Sequence, residues 1–227
     1  MDLHLSPKKQ QDALWLYMLL AGLFTAALVV CNLIANKFIS IDLGFHTFVI
    51  SAGVLPYPLT FLVTDLLSEF YGKRRTNIVV LSGFAILLFV LGVLWLGAQL
   101  PAIEGSPVSD SAYSQVFGNS RRVILASMAA YLVAQLVDVR LFHFWKDVTK
   151  GKHLWIRNNF STMLSQFVDT VLVVGIIFID RESLGTIASM IMDGWLFKVL
   201  CAALDTPLMY AGVWAFKKYF GKSELRE

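Results

Sequence analysis

The chain reads as an all-α, polytopic integral membrane protein of six transmembrane helices with both termini in the cytoplasm. Three observations lead there. Hydrophobic residues make up 57% of the 227 and charged residues only 15%, where an ordinary soluble domain carries about a quarter. Six apolar runs each approach or exceed the roughly 20 residues that a helix needs to cross a bilayer. Basic residues gather in alternate loops. One membrane domain therefore fills 1–227, with spans at about 13–36, 45–68, 76–100, 122–144, 158–179 and 195–216.

The first run is uncharged from Ala13 to Asn36. It lacks a small-residue cleavage pattern after a short core, so it reads as a retained span. Asn32, Asn36 and Lys37 lie at its far end, facing a vestibule or the headgroups. The second run, uncharged over 43–64, contains Pro56-Tyr57-Pro58. Proline removes a backbone donor and bends a helix, which predicts either a broken span lining a site or a plain kink. Asp65 and Glu69 follow near the cytoplasmic face: Glu69 reads as a snorkelling interfacial charge, Asp65 as that or as a site residue. Gly72-Lys73-Arg74-Arg75 makes a helix end and a basic turn.

The third run closes at Pro101, before the one long loop, which reaches Asn119. Arg121 and Arg122 open the fourth span, which continues to Arg140 and His143, and a basic connection over 146–157 leads to the fifth. The sixth starts near Trp195, is interrupted by Lys198, Asp205 and Pro207, and ends with Trp214 and Tyr219 beside Lys217 and Lys218, an interfacial anchor.

Six spans put the two termini, the turn at 72–75 and the connection at 146–157 on one side. Thirteen of the 19 Lys and Arg residues fall there, including Lys222 and Arg226, and only Lys37, Arg121, Arg122 and Arg181 on the other. By the positive-inside rule the first side is cytoplasmic, and the expected location is the cell inner membrane (plasma membrane). The net charge of +3 is thus a matter of topology, and no direct nucleic-acid contact is expected. Cys31 and Cys201 both sit in apolar runs without metal or disulfide spacing, so no cofactor and no metal is expected.

The candidate site lies in the fourth to sixth spans. Tyr131, Gln135 and Asp138 recur as Thr162, Gln166 and Asp169, shifted by 31 positions and spaced i, i+4, i+7. That spacing stacks each triplet on one helix face. A charge at the centre of a membrane helix costs roughly 2.5–3.5 kcal/mol, so such groups mark a site by default. Lys198 and Asp205 share a face but stand two turns apart, which places the lysine's partner on another helix. A lock between helices would use the same charges. However, the first three spans hold no charge in their centres, so the concentration in the last three favours one central cavity.

Four stretches carry a family resemblance: 58–72 (Pro-Leu-Thr-Phe-Leu-Val-Thr-Asp-Leu-Leu-Ser-Glu-Phe-Tyr-Gly), 127–138 with Tyr131 and Gln135, Ser161-Thr162 followed by Asp169-Thr170, and Phe197-Lys198 with Pro207. Together they resemble the queuosine-precursor transporters, the YhhQ-like vitamin uptake transporter family, over nearly all of 32–210. The resemblance implies import of 7-deazaguanine precursors (the cyano form, the aminomethyl form or queuine) for tRNA modification, with a small-molecule substrate and the lipid bilayer as partners. A guanine-like edge presents N1–H and an exocyclic amine, which one carboxylate accepts together. Asp169 or Asp138 suits that role, with Gln135, Gln166 or Asn32 as amide partners and Lys198 as donor to O6. Tyr131, Tyr57 or Phe61 suits stacking, and Thr162 and Asp65 complete the candidate set.

Two alternatives share the features. Gly221-Lys222-Ser223 is no Walker A, since Phe216 stands where the first glycine belongs, so ATP-driven import would need separate subunits around a substrate-binding subunit of a multi-component vitamin importer. Two membrane aspartates also suit an intramembrane aspartyl hydrolase. The Gly-x-Gly-Asp context is missing at Asp138, Asp169 and Asp205, as are the His-Glu-x-x-His and Gly-x-Ser-x-Gly motifs, so an enzyme is not expected.

Overall fold

A computed structural model describes residues 6–42, 44, 47–118, 121–180 and 182–221. Leu43, Asn119, Arg181, Lys222 and Arg226, which entered the reading of runs and loop charges, lie outside them. Among the described residues the fold is all-α apart from one hairpin.

Helix α1 spans Pro7–Leu33. Ser6 caps it by accepting from the Lys9 amide, and Pro7 occupies the first turn, where its missing N–H is no loss. One side of α1 buries Phe24 and Leu28, while Trp15, Leu19 and Leu23 face outward.

The first part of the expected second span is not helical. Strands β1 (Phe38–Asp42) and β2 (Thr47–Ser51) form an antiparallel hairpin with Ser40 opposite Val49, and a 3-10 turn, Ala52–Val54, follows. The start of the run is uncharged, but it alternates, with Phe48 and Ile50 buried, and it pairs with a strand just before the run in which Ile39 and Ile41 are half-buried. Period 2 in β-branched and aromatic residues overrides mere apolarity. In the connection the Asp42 carboxylate accepts from the Gly44 amide at 2.9 Å, and Gly44 has a φ of 81°, which suits glycine. The turn at 52–54 sits against the end of α1, where Gly53 lies so close to the Cys31 carbonyl that a Cβ would not fit.

Pro56 and Pro58 do not kink a span. They start one: Pro56 is the N-cap of α2 (Tyr57–Ala98), and Pro58 lies in the first turn. Within α2, Gly72 departs from helical geometry (φ 77°, ψ 171°). Ser68 Oγ and Thr76 Oγ1 are 3.4 Å apart, whereas eight residues of unbroken helix would rise about 12 Å. The arms 57–71 and 73–98 therefore fold back on each other, at the position where the sequence separates its second and third spans.

The long loop contains a short helix, α3 (Asp110–Phe117), held by Tyr113 Oη donating to the Leu94 carbonyl and Asn36 Nδ2 to that of Val116. Helices α4 (Arg121–Val148), α5 (Leu154–Phe178) and α6 (Leu184–Phe220) complete the chain. Helix α6 starts earlier than its apolar run, at a cap made by Ser183 accepting from the Thr186 amide.

The tightest pair is α4 with α5, and the 57–71 arm packs on α4 while α2 also meets α6. The 73–98 arm lies along α1, with Gly83 against Phe24. Phe70 stacks on Phe216 at 3.8 Å between centroids. Tyr71 donates to the Ala13 carbonyl, Tyr17 to that of Arg75, and Tyr219 to Asp12. The start of α1, the Gly72 reversal and the end of α6 thus meet at one basic end of the molecule. Large apolar side chains such as Phe89, Trp95, Leu204 and Trp214 cover the outer surface. Among the described residues four segments are long and apolar enough to cross a membrane: Pro7–Leu33, Ala52–Ala98, Leu154–Phe178 and Leu184–Phe220.

Candidate functional site

The arm 57–71 runs antiparallel to α5, with Tyr57 opposite Asp169 and Glu69 opposite Arg157. Both intervals are twelve residues, about 18 Å of helix, so the partners stay in register along the contact. Polar side chains line this seam in layers.

At the end nearer the hairpin, Asp169 is buried and doubly held. Tyr57 Oη donates to Oδ1 at 2.8 Å, and Lys198 Nζ on α6 to Oδ2 at 2.6 Å. Lys198 also reaches Thr170 Oγ1 at 3.1 Å and lies 5.0 Å from the centroid of the Tyr57 ring, a cation–π placement. Phe61 abuts Tyr57 edge-on. The lysine's partner is on another helix, as its spacing requires. Tyr131 is buried near this layer with its hydroxyl unpartnered among the described residues, and so is the Gln166 Oε1.

One layer further, Gln135 is fully buried between two threonines, accepting from Thr64 Oγ1 and donating to Thr60 Oγ1, each at 3.3 Å. Next comes Asp138, whose Oδ1 accepts from Ser165 Oγ at 2.8 Å, with Thr162 and Ser161 hydroxyls beside it and Asp65 facing it from α2. At the basic end Glu69 accepts from Arg157 at 2.7 Å and pairs with Lys146 at 3.1 Å.

Two expectations need correction. Glu69 is no snorkelling charge. It is 3% exposed and ion-paired, and Arg157, read as a loop charge, is equally buried. Asn32 does not join the others: its amide donates to the Leu28 carbonyl of its own helix, and it lines a small crevice with Leu94, Val116 and Phe117. Asp169, Gln166, Gln135, Asp138, Thr162, Lys198 and Asp65 do line the seam, with Tyr131 beside it. The two triplets sit on antiparallel helices, so their shared spacing sends Asp138 and Asp169 toward opposite ends. Thr60, Thr64, Ser161 and Ser165 were missed, although their i, i+4 spacing on the two facing helices is the signal that finds them.

A polar seam closed inside a bundle with an apolar exterior is the architecture of an integral membrane protein. The chain belongs to the family described as "Putative vitamin uptake transporter", whose model matches residues 51–212. It is 29% identical over 160 residues to a "Probable queuosine precursor transporter" of Bacillus subtilis, covering 70% of this chain and 69% of that one. A protein of the same description from Haemophilus influenzae is 30% identical over 140 residues, 60% of this chain and 54% of the relative. The "Queuosine precursor transporter" of Escherichia coli is 26% identical over 129 residues, 57% of this chain and 54% of the relative. The chain thus spans about half the length of the latter two. No solved structure matches. The chain is a multi-pass membrane transporter and not an enzyme.

Proposed function

We propose that this chain imports a 7-deazaguanine precursor of queuosine, in the cyano, aminomethyl or queuine form, across the cell inner membrane for tRNA modification. The observation that carries the reading is the cluster of buried Asp169 with half-buried Lys198 and Tyr57. A guanine-like edge offers two parallel donors, and Asp169 accepts both when Tyr57 and Lys198 release its oxygens. Lys198 then donates to O6, and the Tyr57 ring, with Phe61 behind it, stacks on the heterocycle. Gln166 Oε1 and the Tyr131 hydroxyl supply further buried polar contacts. The names of the relatives support the same substrate class.

The transport unit is a single domain over 1–227 with six spans: α1, the hairpin with 57–71, 73–98, α4, α5 and α6. Its basic end, with Lys8, Lys9, Lys73, Arg74, Arg75 and Lys146, faces the cytoplasm, together with both termini. The test is equilibrium binding of 7-aminomethyl-7-deazaguanine to the purified protein. Hydrogen bonds to a charged group are worth about 1.5–3 kcal/mol, so D169N should bind at least about tenfold more weakly. Unchanged affinity in a folded D169N protein would remove Asp169 from the site.

A further inference from the structure

Among the described residues four carboxylates are buried along the seam: Asp65, Glu69, Asp138 and Asp169. Two are neutralised by cations. Asp169 has Lys198 at 2.6 Å, and Glu69 has Arg157 at 2.7 Å and Lys146 at 3.1 Å. The other two have each other. Asp65 on α2 faces Asp138 on α4 within reach of a carboxyl–carboxyl hydrogen bond, and they are 1% and 0% exposed.

Their oxygens are incompletely satisfied. Asp138 Oδ1 accepts from Ser165, but Asp138 Oδ2 and Asp65 Oδ1 have no donor among the described residues. Among the described residues the surroundings offer no cation to spare. On α5 the pair meets the hydroxyls of Ser161, Thr162 and Ser165, and beyond them Arg157, which is held by Glu69 and by the carbonyls of Gly151 and Lys152. On α6 the nearest titratable group is Asp205, another acid. On α2, Glu69 stands one turn on, already paired. On α4, Arg140 is exposed and His143 lies more than a turn further along. Two adjacent carboxylates repel strongly in so dry a place, whereas one proton between them converts the repulsion into a hydrogen bond and supplies a missing donor.

We propose that the Asp65–Asp138 pair is a proton-binding site, and that loading and unloading of its proton couples solute uptake to the proton gradient. This rests on the transport reading above. The proton site is distinct from the Asp169 cluster: Ser165, which touches Asp138, precedes Asp169 by one helical turn, about 6 Å. The serine and threonine hydroxyls of 161, 162 and 165 stabilise the pair when the proton leaves. Each turnover then carries one solute and one proton inward, the proton entering from the hairpin side and leaving toward the basic end.

Two measurements test this. Infrared difference spectra of the purified protein at neutral pH should show a protonated-carboxyl stretch that shifts in D₂O and is absent from the D65N/D138N double variant. Its absence from the wild type would overturn the proposal with no reference to any solute. In proteoliposomes supplied with 7-cyano-7-deazaguanine, an inside-alkaline gradient of one pH unit should drive up to about tenfold accumulation, abolished by a protonophore. D65N, and independently D138N, should equilibrate the solute without accumulating it. Wild-type protein that equilibrates the solute and gains nothing from the gradient refutes coupling while leaving the substrate intact. Wild-type protein that moves none of the cyano, aminomethyl and queuine forms, each supplied in turn, refutes the substrate reading, and the infrared band still decides the proton site.

Discussion

Arg157 is the residue whose loss should damage this fold most for its size. Its Nη2 donates to Glu69 Oε1 at 2.7 Å, and its Nη1 to the Gly151 and Lys152 carbonyls at 3.0 and 3.4 Å. It also lies 5.7 Å from the Phe142 ring centroid, so one side chain ties the α4–α5 loop, α5 and α2 together. Removing one partner of a buried ion pair typically costs about 3–5 kcal/mol, because the other charge stays buried and uncompensated. Lys146, 12% exposed, still pairs with Glu69 and holds R157A toward the lower part of that range. K146A should cost only about 1 kcal/mol, as partly solvated pairs do. The assay is reversible denaturation in mixed detergent micelles, run as a double-mutant cycle. R157A and E69A should each be strongly destabilising, and E69A/R157A much less so than their sum. An R157A loss below about 1 kcal/mol, or additivity in the cycle, would refute the claim that this pair is buried and coupled.

Further outcomes follow from backbone geometry and topology. G72A places a Cβ at φ 77° and ψ 171°, a region open in practice only to glycine, and should lower stability by about 1–3 kcal/mol in the same denaturation assay. G53V has no room against the Cys31 carbonyl; it should unseat the hairpin, read as faster proteolysis within 38–51 of protein in micelles. With Cys31 and Cys201 replaced, a membrane-impermeant thiol reagent should label E104C from outside intact cells and K150C only after the cytoplasmic side is opened. The reverse pattern would invert the proposed orientation.

Much of the helical fold is legible in the sequence because lipid leaves the chain few choices. Long uncharged runs must satisfy their backbones internally, and the basic turn at 72–75 marks the reversal that Gly72 makes. The hairpin is hidden by the same rule, since an uncharged stretch over 43–64 scans as a span unless its period of two is counted. The site is legible in part for a related reason. A buried Asp is conspicuous in an apolar helix, so Asp138, Asp169 and Lys198 stand out. Glu69 and Arg157 flank basic turns, where distance along one helix cannot reveal that each is the other's partner 88 residues away. The threonines and serines of the seam are quieter still. Thr60, for example, back-bonds to the Tyr57 carbonyl of its own helix, and hydroxyls of that kind carry little penalty when buried.

The most direct measurement is the queuosine content of tRNA in cells that cannot make the precursor. They would express wild-type protein, D169N, or none, with 7-deazaguanine precursors supplied outside at limiting concentration. Restoration by the wild type and none by equally abundant D169N is the predicted result. Failure of the wild type while it is present in the membrane would contradict the proposed substrate, and full restoration by D169N would contradict the site.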